Sequence, residues 1–299
     1  MTKVERFSFM GWKNCYKISN EVVELIITSD FGPRIIKYAL INQENEMRVF
    51  ENTAGKTNLK EWNLYGGHRL WHSPESKPRC YFPDNDKVEI KVIENGIKTS
   101  QNVEPTTMIK KDITITLEPT SSVVTIKHYL TNKGMWDVKL AAWALTVMAT
   151  GGIEIIPQEQ VDTDLLPNRM LSLWPYTKLN DPRVTWGDKY ILLKQDPNYE
   201  PPFKIGISNT CGWAAYANHN HLFVKKFNHI ANSEYPDYSG SSYETYTKND
   251  MIELETLSPL VLLAPEQTIE HIETWKLFDN ISLPQSEDDI DKYILPLIK

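Results

Sequence analysis

The chain has 299 residues, 41% of them hydrophobic, and a formal net charge of −7. That apolar share supports a large core. An acidic balance without a Lys/Arg cluster excludes a nucleic-acid surface, and no run approaches the ~18 apolar residues of a membrane span, so neither nucleic acid nor membrane is an expected partner. The N-terminal MTKVERFSFMGW has no continuous apolar leader, and Cys15, Cys80 and Cys211 show no CxxC spacing. Neither a disulfide framework nor a zinc site is suggested, and a reducing cytoplasm is the expected location.

Residues 21–40 carry two apolar, β-branched runs split by a turn at Ser29–Pro33. A short helix is expected at 58–62. Residues 111–132 read as a hairpin. Ile113, Ile115 and Leu117 alternate with Thr114 and Thr116, and after the turn 119–122 the residues Val124, Ile126, His128 and Leu130 share one face. Further strands are expected at 138–149, 153–157, 190–194, 203–208, 213–218, 221–227, 251–256, 260–263 and 268–277. The stretch 158–189, rich in Pro, Asp, Asn and Trp, reads as a long surface loop. A C-terminal helix is expected over 286–296, opened by a Ser cap and an acidic first turn. About fifteen short strands with few helices argue for one all-β domain over 1–299, a large sandwich with a short helical tail. The absence of a fixed repeat excludes a propeller or solenoid.

Several segments together resemble the galactose mutarotase-like (aldose 1-epimerase-like) superfamily, in particular its uncharacterised DUF4380 branch. They are FGPRIIKY (31–38), LYGGHRLWHSPE (64–75), HYLTNKG with LAAWALTVMATGG (128–152), FVKKF (223–227), YPDYS (235–239) and IELETLSPLVLLAPEQTIEHIETWKL (252–277). They keep the family's order over nearly the whole chain. The resemblance implies a β-supersandwich whose concave face holds a carbohydrate, with no cofactor.

Mutarotation needs a base for the anomeric hydroxyl and an acid for the ring oxygen. The family's base is a Glu followed by Thr and, a few residues on, Pro; Glu255-Thr256-Leu257-Ser258-Pro259 matches, which implies Glu255 as base. Strand alternation puts Glu253, Glu255 and Leu257 on one face and Ile252, Leu254 and Thr256 on the other. Two carboxylates so close repel, which raises one pKa; a solvated acidic edge strand fits the same pattern. The family's central-strand histidine has no counterpart in 140–148, where Trp143 reads instead as a stacking platform. The substitute acids are His68 and His72, in YGGHRLWHSPE. Packing histidines and metal ligands are the other readings of this pair, and the Gly66-Gly67 pair permits positive φ and close backbone approach.

Arg69 can bind an anion bidentately, and Trp71 can stack on a sugar. Arg34, Lys225 and Asp237 are further substrate-binding candidates, with Glu253 beside them. Lys225 shares a face with Phe223 and Phe227, so it needs an anionic partner if that face points inward. Glu244 is a weaker candidate for ligand contact. His128 reads as a satisfied core histidine, His271 and Glu273 as part of the last strand's hydrogen bonding, and His219 and His221 have no assigned role. Three functions follow: an aldose 1-epimerase-like isomerase, a non-catalytic carbohydrate-binding or sensing module, or a polysaccharide lyase or hydrolase on the same concave face. The expected partner is a carbohydrate, with an anionic sugar as one form. A monomer or a homodimer fits this reading.

Overall fold

The computed structural model describes residues 1–238 and 240–298; Ser239, the last residue of YPDYS, lies outside the described residues. Two antiparallel sheets pack face to face. The first has the order Lys3–Phe9, Trp12–Ser19, Val23–Thr28, Arg34–Leu40, Gly67–Ser73, Val138–Met148, Met251–Leu257, Tyr243–Lys248, Phe203–Ile207, Leu171–Leu173, with Val261–Leu263 paired to the start of Val138–Met148. The second has the order Val184–Trp186, Tyr190–Lys194, Ile153–Pro157, Trp213–Asn218, His221–Phe227, Thr268–Asp279, Val124–Asn132, Ile109–Leu117, Gly96–Ser100, Glu89–Ile93. Their inner faces interdigitate through residues such as Ile27, Ile35, Leu70 and Leu254 from one sheet and Ile113, Ile126, Phe223 and Trp275 from the other. This is the all-β sandwich that the strand pattern predicts.

The expected strands after residue 138 form within a residue or two of their predicted bounds. Their side chains alternate between an apolar inner face and a second environment, and that period-2 signal is local. The expected helix at 58–62 does not form. Five residues are too few to nucleate one, and Asn85 holds the segment irregular: Asn58 N donates to Asn85 O (3.2 Å), and Asn85 Nδ2 donates to Glu61 O (3.1 Å). The 158–189 excursion is mostly loop, but two short strands, Leu171–Leu173 and Val184–Trp186, add edges to the two sheets.

The C-terminal helical segment starts at Glu287, with Asp289 N donating to the Ser286 hydroxyl (3.2 Å). Its residues Ile290, Ile294 and Ile298 pack on Trp213, Leu222 and Val224, covering the outer face of the second sheet. The first sheet's outer face carries a cleft. Among the described residues no helix is long and apolar enough to cross a membrane.

Gly67–Ser73 is buried on both sides along its whole length. At Gly66 (φ +86°) and Gly67 (φ +67°) a Cβ would stand 2.1 Å from Arg48 O and 2.2 Å from Ile35 O, so only glycine lets the backbone enter the sheet this closely. Val138–Met148, its neighbour, has a cleft on one side and the core on the other.

Candidate functional site

Directly paired residues in an antiparallel sheet project to the same face. Leu145 pairs with Arg69 on one side and Glu255 on the other, and Glu255 pairs with Glu244. Trp143 sits between Trp71 and Leu257, and Glu253 between Val147 and Tyr246. Lys204 pairs with Tyr246. These residues therefore share the first sheet's outer face, where a cleft of about 320 Å³ opens. Arg69, Trp71, Trp143, Glu253 and Glu255, all read from the sequence as site residues, line it.

Glu255 lies at the floor, 1% exposed. Its Oε2 accepts from Trp143 Nε1 (2.8 Å) and Lys204 Nζ (3.0 Å), while Oε1 has no partner among the described residues. Burial raises the Glu255 carboxyl above the usual range, against the pull of Lys204 and with a push from Glu253. Burial works against the Lys204 charge, but Glu244 (2.9 Å) and Glu255 outweigh it and hold the ammonium proton well above the ordinary value. Glu244, buried and beside Glu255, is raised well above the carboxylate range. Arg69 Nη1 donates to Glu253 Oε1 (2.8 Å).

Trp71 and Trp143 meet edge to face, 5.4 Å between ring centres. Each carries a cation over its ring: Arg69 lies 4.7 Å from the Trp71 centre and Lys204 4.8 Å from that of Trp143. Their faces thus hold the site's own cations, and the exposed ring in the cleft is Tyr176, edge-on to Tyr246.

Five sequence candidates lie away from the cleft. His68 and His72 project from the opposite face of Gly67–Ser73 to Arg69 and Trp71, so the expected position of either across a sugar from Glu255 is corrected by strand alternation. His72 is buried near Glu104 (3.8 Å), whose own partner is Lys111; burial pushes the Glu104 carboxyl up, but Lys111 and His72 overcome it and bring it down to about 2. Lys225 does point inward with Phe223 and Phe227, and its anionic partner is the protein's own Glu273 (3.1 Å). Arg34 pairs with Asp84 and donates to Gly66 O (2.8 Å) under the rings of Phe31 and Tyr65. Asp237 sits in a turn at φ +58°, where its carbonyl accepts from Ser172.

The inner polar cluster is internally satisfied. Lys225 Nζ donates to Thr146 Oγ1 (2.6 Å), and Thr146 Oγ1 lies 2.8 Å from His68 Nδ1. His68 Nε2 is 2.7 Å from His128 Nε2, and His128 Nδ1 is 3.0 Å from His271 O. A carbonyl only accepts, so His128 donates from Nδ1 and accepts at Nε2, which makes His68 the donor there and the acceptor from Thr146. One direction of donors runs through neutral rings. Burial lowers both the His68 and His128 pKa values, in keeping with that protonation. His128 is the core histidine that its hairpin face predicts.

Sequence reading missed Lys204, Trp62, Trp174 and Tyr176. Trp62 lies against Trp71, and Trp174 lies under Lys204 (4.7 Å). Trp174 and Tyr176 come from the 158–189 excursion, whose cluster of aromatics was the available signal. Lys204 alternates with buried Phe203 and Ile205, a pattern that places a lysine on the second face of a strand but does not say that a cleft lies there.

No family model matches the chain, and no curated relative does. Solved structures do. A galactose mutarotase-like protein from Lactobacillus casei matches with a TM-score of 0.57 at 11% identity, over 88% of this chain and 100% of that one. A galactose mutarotase related enzyme from Lactobacillus acidophilus matches at 0.55 and 8%, over 91% and 100%. A candidate aldose 1-epimerase from Klebsiella pneumoniae matches at 0.62 and 10%, over 93% and 83%. At these identities the likeness is one of architecture: the chain has the galactose mutarotase-like fold.

Proposed function

We propose that the protein binds a sugar in the Glu255 cleft and opens its ring at the anomeric centre. The observation that carries this reading is the unshared Oε1 of Glu255, buried at the cleft floor while Oε2 is clamped by Trp143 and Lys204. A general base needs a positioned free lone pair and a pKa raised toward the working pH, and Glu255 has both. Oε1 takes the proton of the anomeric hydroxyl, the bond from the anomeric carbon to the ring oxygen breaks, and a proton passes to that oxygen. Lys204 supplies it. Its proton is held by neighbouring carboxylates, so when Glu255 becomes neutral the ammonium loses an anionic partner and turns more acidic as the ring oxygen gains charge. Rotation about the opened carbonyl and the reverse transfers give the other anomer and restore both groups.

Three basic residues in the cleft, Arg69, Lys204 and Lys248, face three acidic ones, Glu75, Glu253 and Glu255. The cleft has no surplus positive charge, so a neutral sugar suits it better than an anionic one. Its volume is at the small end for small-molecule sites, which favours a sugar ring over a polysaccharide. One observation favours binding without catalysis: the central strand turns Trp143, Leu145 and Val147 to this face, and none can titrate.

Exchange NMR on neutral aldoses separates the readings. Wild type is expected to speed anomer exchange. Glu255→Gln is expected to lower the rate about 10²–10⁴-fold while still binding, because the amide keeps the shape and loses the base. His68→Asn is expected to leave the rate per folded molecule unchanged. Wild-type protein that binds sugars but leaves exchange at the solution rate removes the enzymatic reading and establishes the binding one.

A further inference from the structure

At one end of the sandwich, away from the cleft, Glu46 meets the hairpin turn Asn218–His221. The turn residues His219 and Asn220 have φ +53° and +64°, and Ile281 N donates to Asn220 O (2.8 Å), which ties the turn down. Glu46 is fixed by its backbone: its N–H donates to Tyr38 O (3.1 Å) and its carbonyl accepts from Ala149 N (2.8 Å). One ligand atom from each of Glu46, His219 and His221 lies within 4.8 Å of the others.

With Glu46 as a carboxylate, the hydrogen bonding at a neutral His221 does not close. Its Nδ1 lies 2.6 Å from Glu46 Oε1, and its Nε2 lies 3.2 Å from Gln43 Oε1 and 3.9 Å from Asp279 Oδ1. Both ring nitrogens face acceptors, while a neutral imidazole has one N–H. Glu46, 1% exposed, also keeps an Oε2 with no partner among the described residues. A cation bound by Nδ1 and by the unpartnered Glu46 Oε2 resolves both defects once the 2.6 Å contact between Nδ1 and Oε1 opens: Nδ1 and Glu46 become ligands, and Nε2–H donates to Gln43, as a metal-bound histidine donates its second N–H to an outer oxygen.

We infer that Glu46, His219 and His221 form a binding site for a divalent first-row transition ion of the zinc class, with water at the open position. Two imidazoles and one carboxylate suit such an ion, whose bonds of about 2.0–2.2 Å put ligand atoms roughly 3.3 Å apart in a tetrahedron. His219 is the exposed member of the three, so its side chain is the one with solvent around it in which to adjust. The buried trio His68, His128 and Glu273 has the same residue types but no vacancy for an ion: Lys225 stands 3.1 Å from Glu273, and the donor chain closes. Neither His219 nor His221 lines the cleft, so this inference stands apart from the proposed activity.

The test uses the metal-free full chain carrying Cys211→Ser, because that exposed thiol can itself take up metal. Cobalt(II) titrations are read by visible absorption and zinc titrations by calorimetry. The site predicts about one equivalent bound, with tetrahedral cobalt bands. His219→Ala, at an exposed turn where folding is not at stake, is expected to weaken binding by at least the roughly 10–100-fold that loss of an outer-shell partner costs, and Glu46→Gln likewise. No saturable uptake, or variants that titrate like the parent, overturns the site and leaves His221 and Glu46 as a hydrogen-bonded pair without an ion.

Discussion

The two faces of the same three strands, Gly67–Ser73, Val138–Met148 and Met251–Leu257, use charge in opposite ways. Between the sheets, Lys225, Glu273, Thr146, His68 and His128 form a closed set in which every donor has an acceptor. On the outer face, Arg69, Glu253 and Glu255 of these strands and Lys204 of Phe203–Ile207 are nearly as buried, yet Glu255 Oε1 is left open and faces a cleft. Burial therefore does not distinguish the closed inner charges from those at the cleft. The presence of an unused lone pair beside accessible volume does. A histidine counted as a catalytic candidate by its sequence neighbours turns structural once its two nitrogens are both committed.

The largest effect is expected from breaking the inner face. Lys225→Met leaves the Glu273 carboxylate buried without its cation and should cost about 3–5 kcal/mol of stability by denaturant unfolding. Adding Glu273→Leu should restore part of that, since an apolar pair has no charge to strand. Anomer exchange per folded molecule should not change. A Lys225→Met protein as stable as wild type would mean that the inner pair is not the structural element drawn here.

On the outer face, Tyr176→Ala removes the exposed ring at the cleft. Sugar affinity should fall by about 1–2 kcal/mol, roughly 5–30-fold in Kd, with the unfolding midpoint in place. Unchanged titrations would show that the sugar sits clear of the 158–189 excursion.

The smallest effect, taken per pH unit, is a pH slope. Glu154, wholly buried on the inner face, accepts from Tyr243 Oη (2.5 Å) and Thr245 Oγ1 (2.6 Å), and burial pushes its carboxyl up to about 8. An unfolded Glu titrates at about 4.3. Between those values the folded chain keeps a proton that the unfolded chain has released, so stability falls as pH rises through the window and is level above it. The slope should be on the order of 1 kcal/mol per pH unit, and Glu154→Gln should remove it. Parallel stability curves for the two proteins from about pH 5 to 8 would show that Glu154 is ionised in the fold.

Local periodicity was enough to place most strands after residue 138, the 111–132 hairpin, the Ser286 cap and the two faces of Met251–Leu257, because each of these depends on side chains a few residues apart. The hydrogen bond from Trp143 to Glu255 joins residues 112 apart, so it was settled only when their strands came to lie side by side. Gly67–Ser73 defeated local periodicity. A strand buried on both faces shows no apolar–polar alternation, so His68 and Arg69 read as one cluster although a β-strand sends them to opposite sides. Lys204, Trp62 and Tyr176 reach the Glu255 cleft from segments roughly 50 to 190 residues away, and nothing in their own neighbourhoods says where those segments will lie. The order in which the strands pair is decided by burying both inner faces at once. That choice, made over the whole chain, is what assigned each alternating residue to the core or to the cleft.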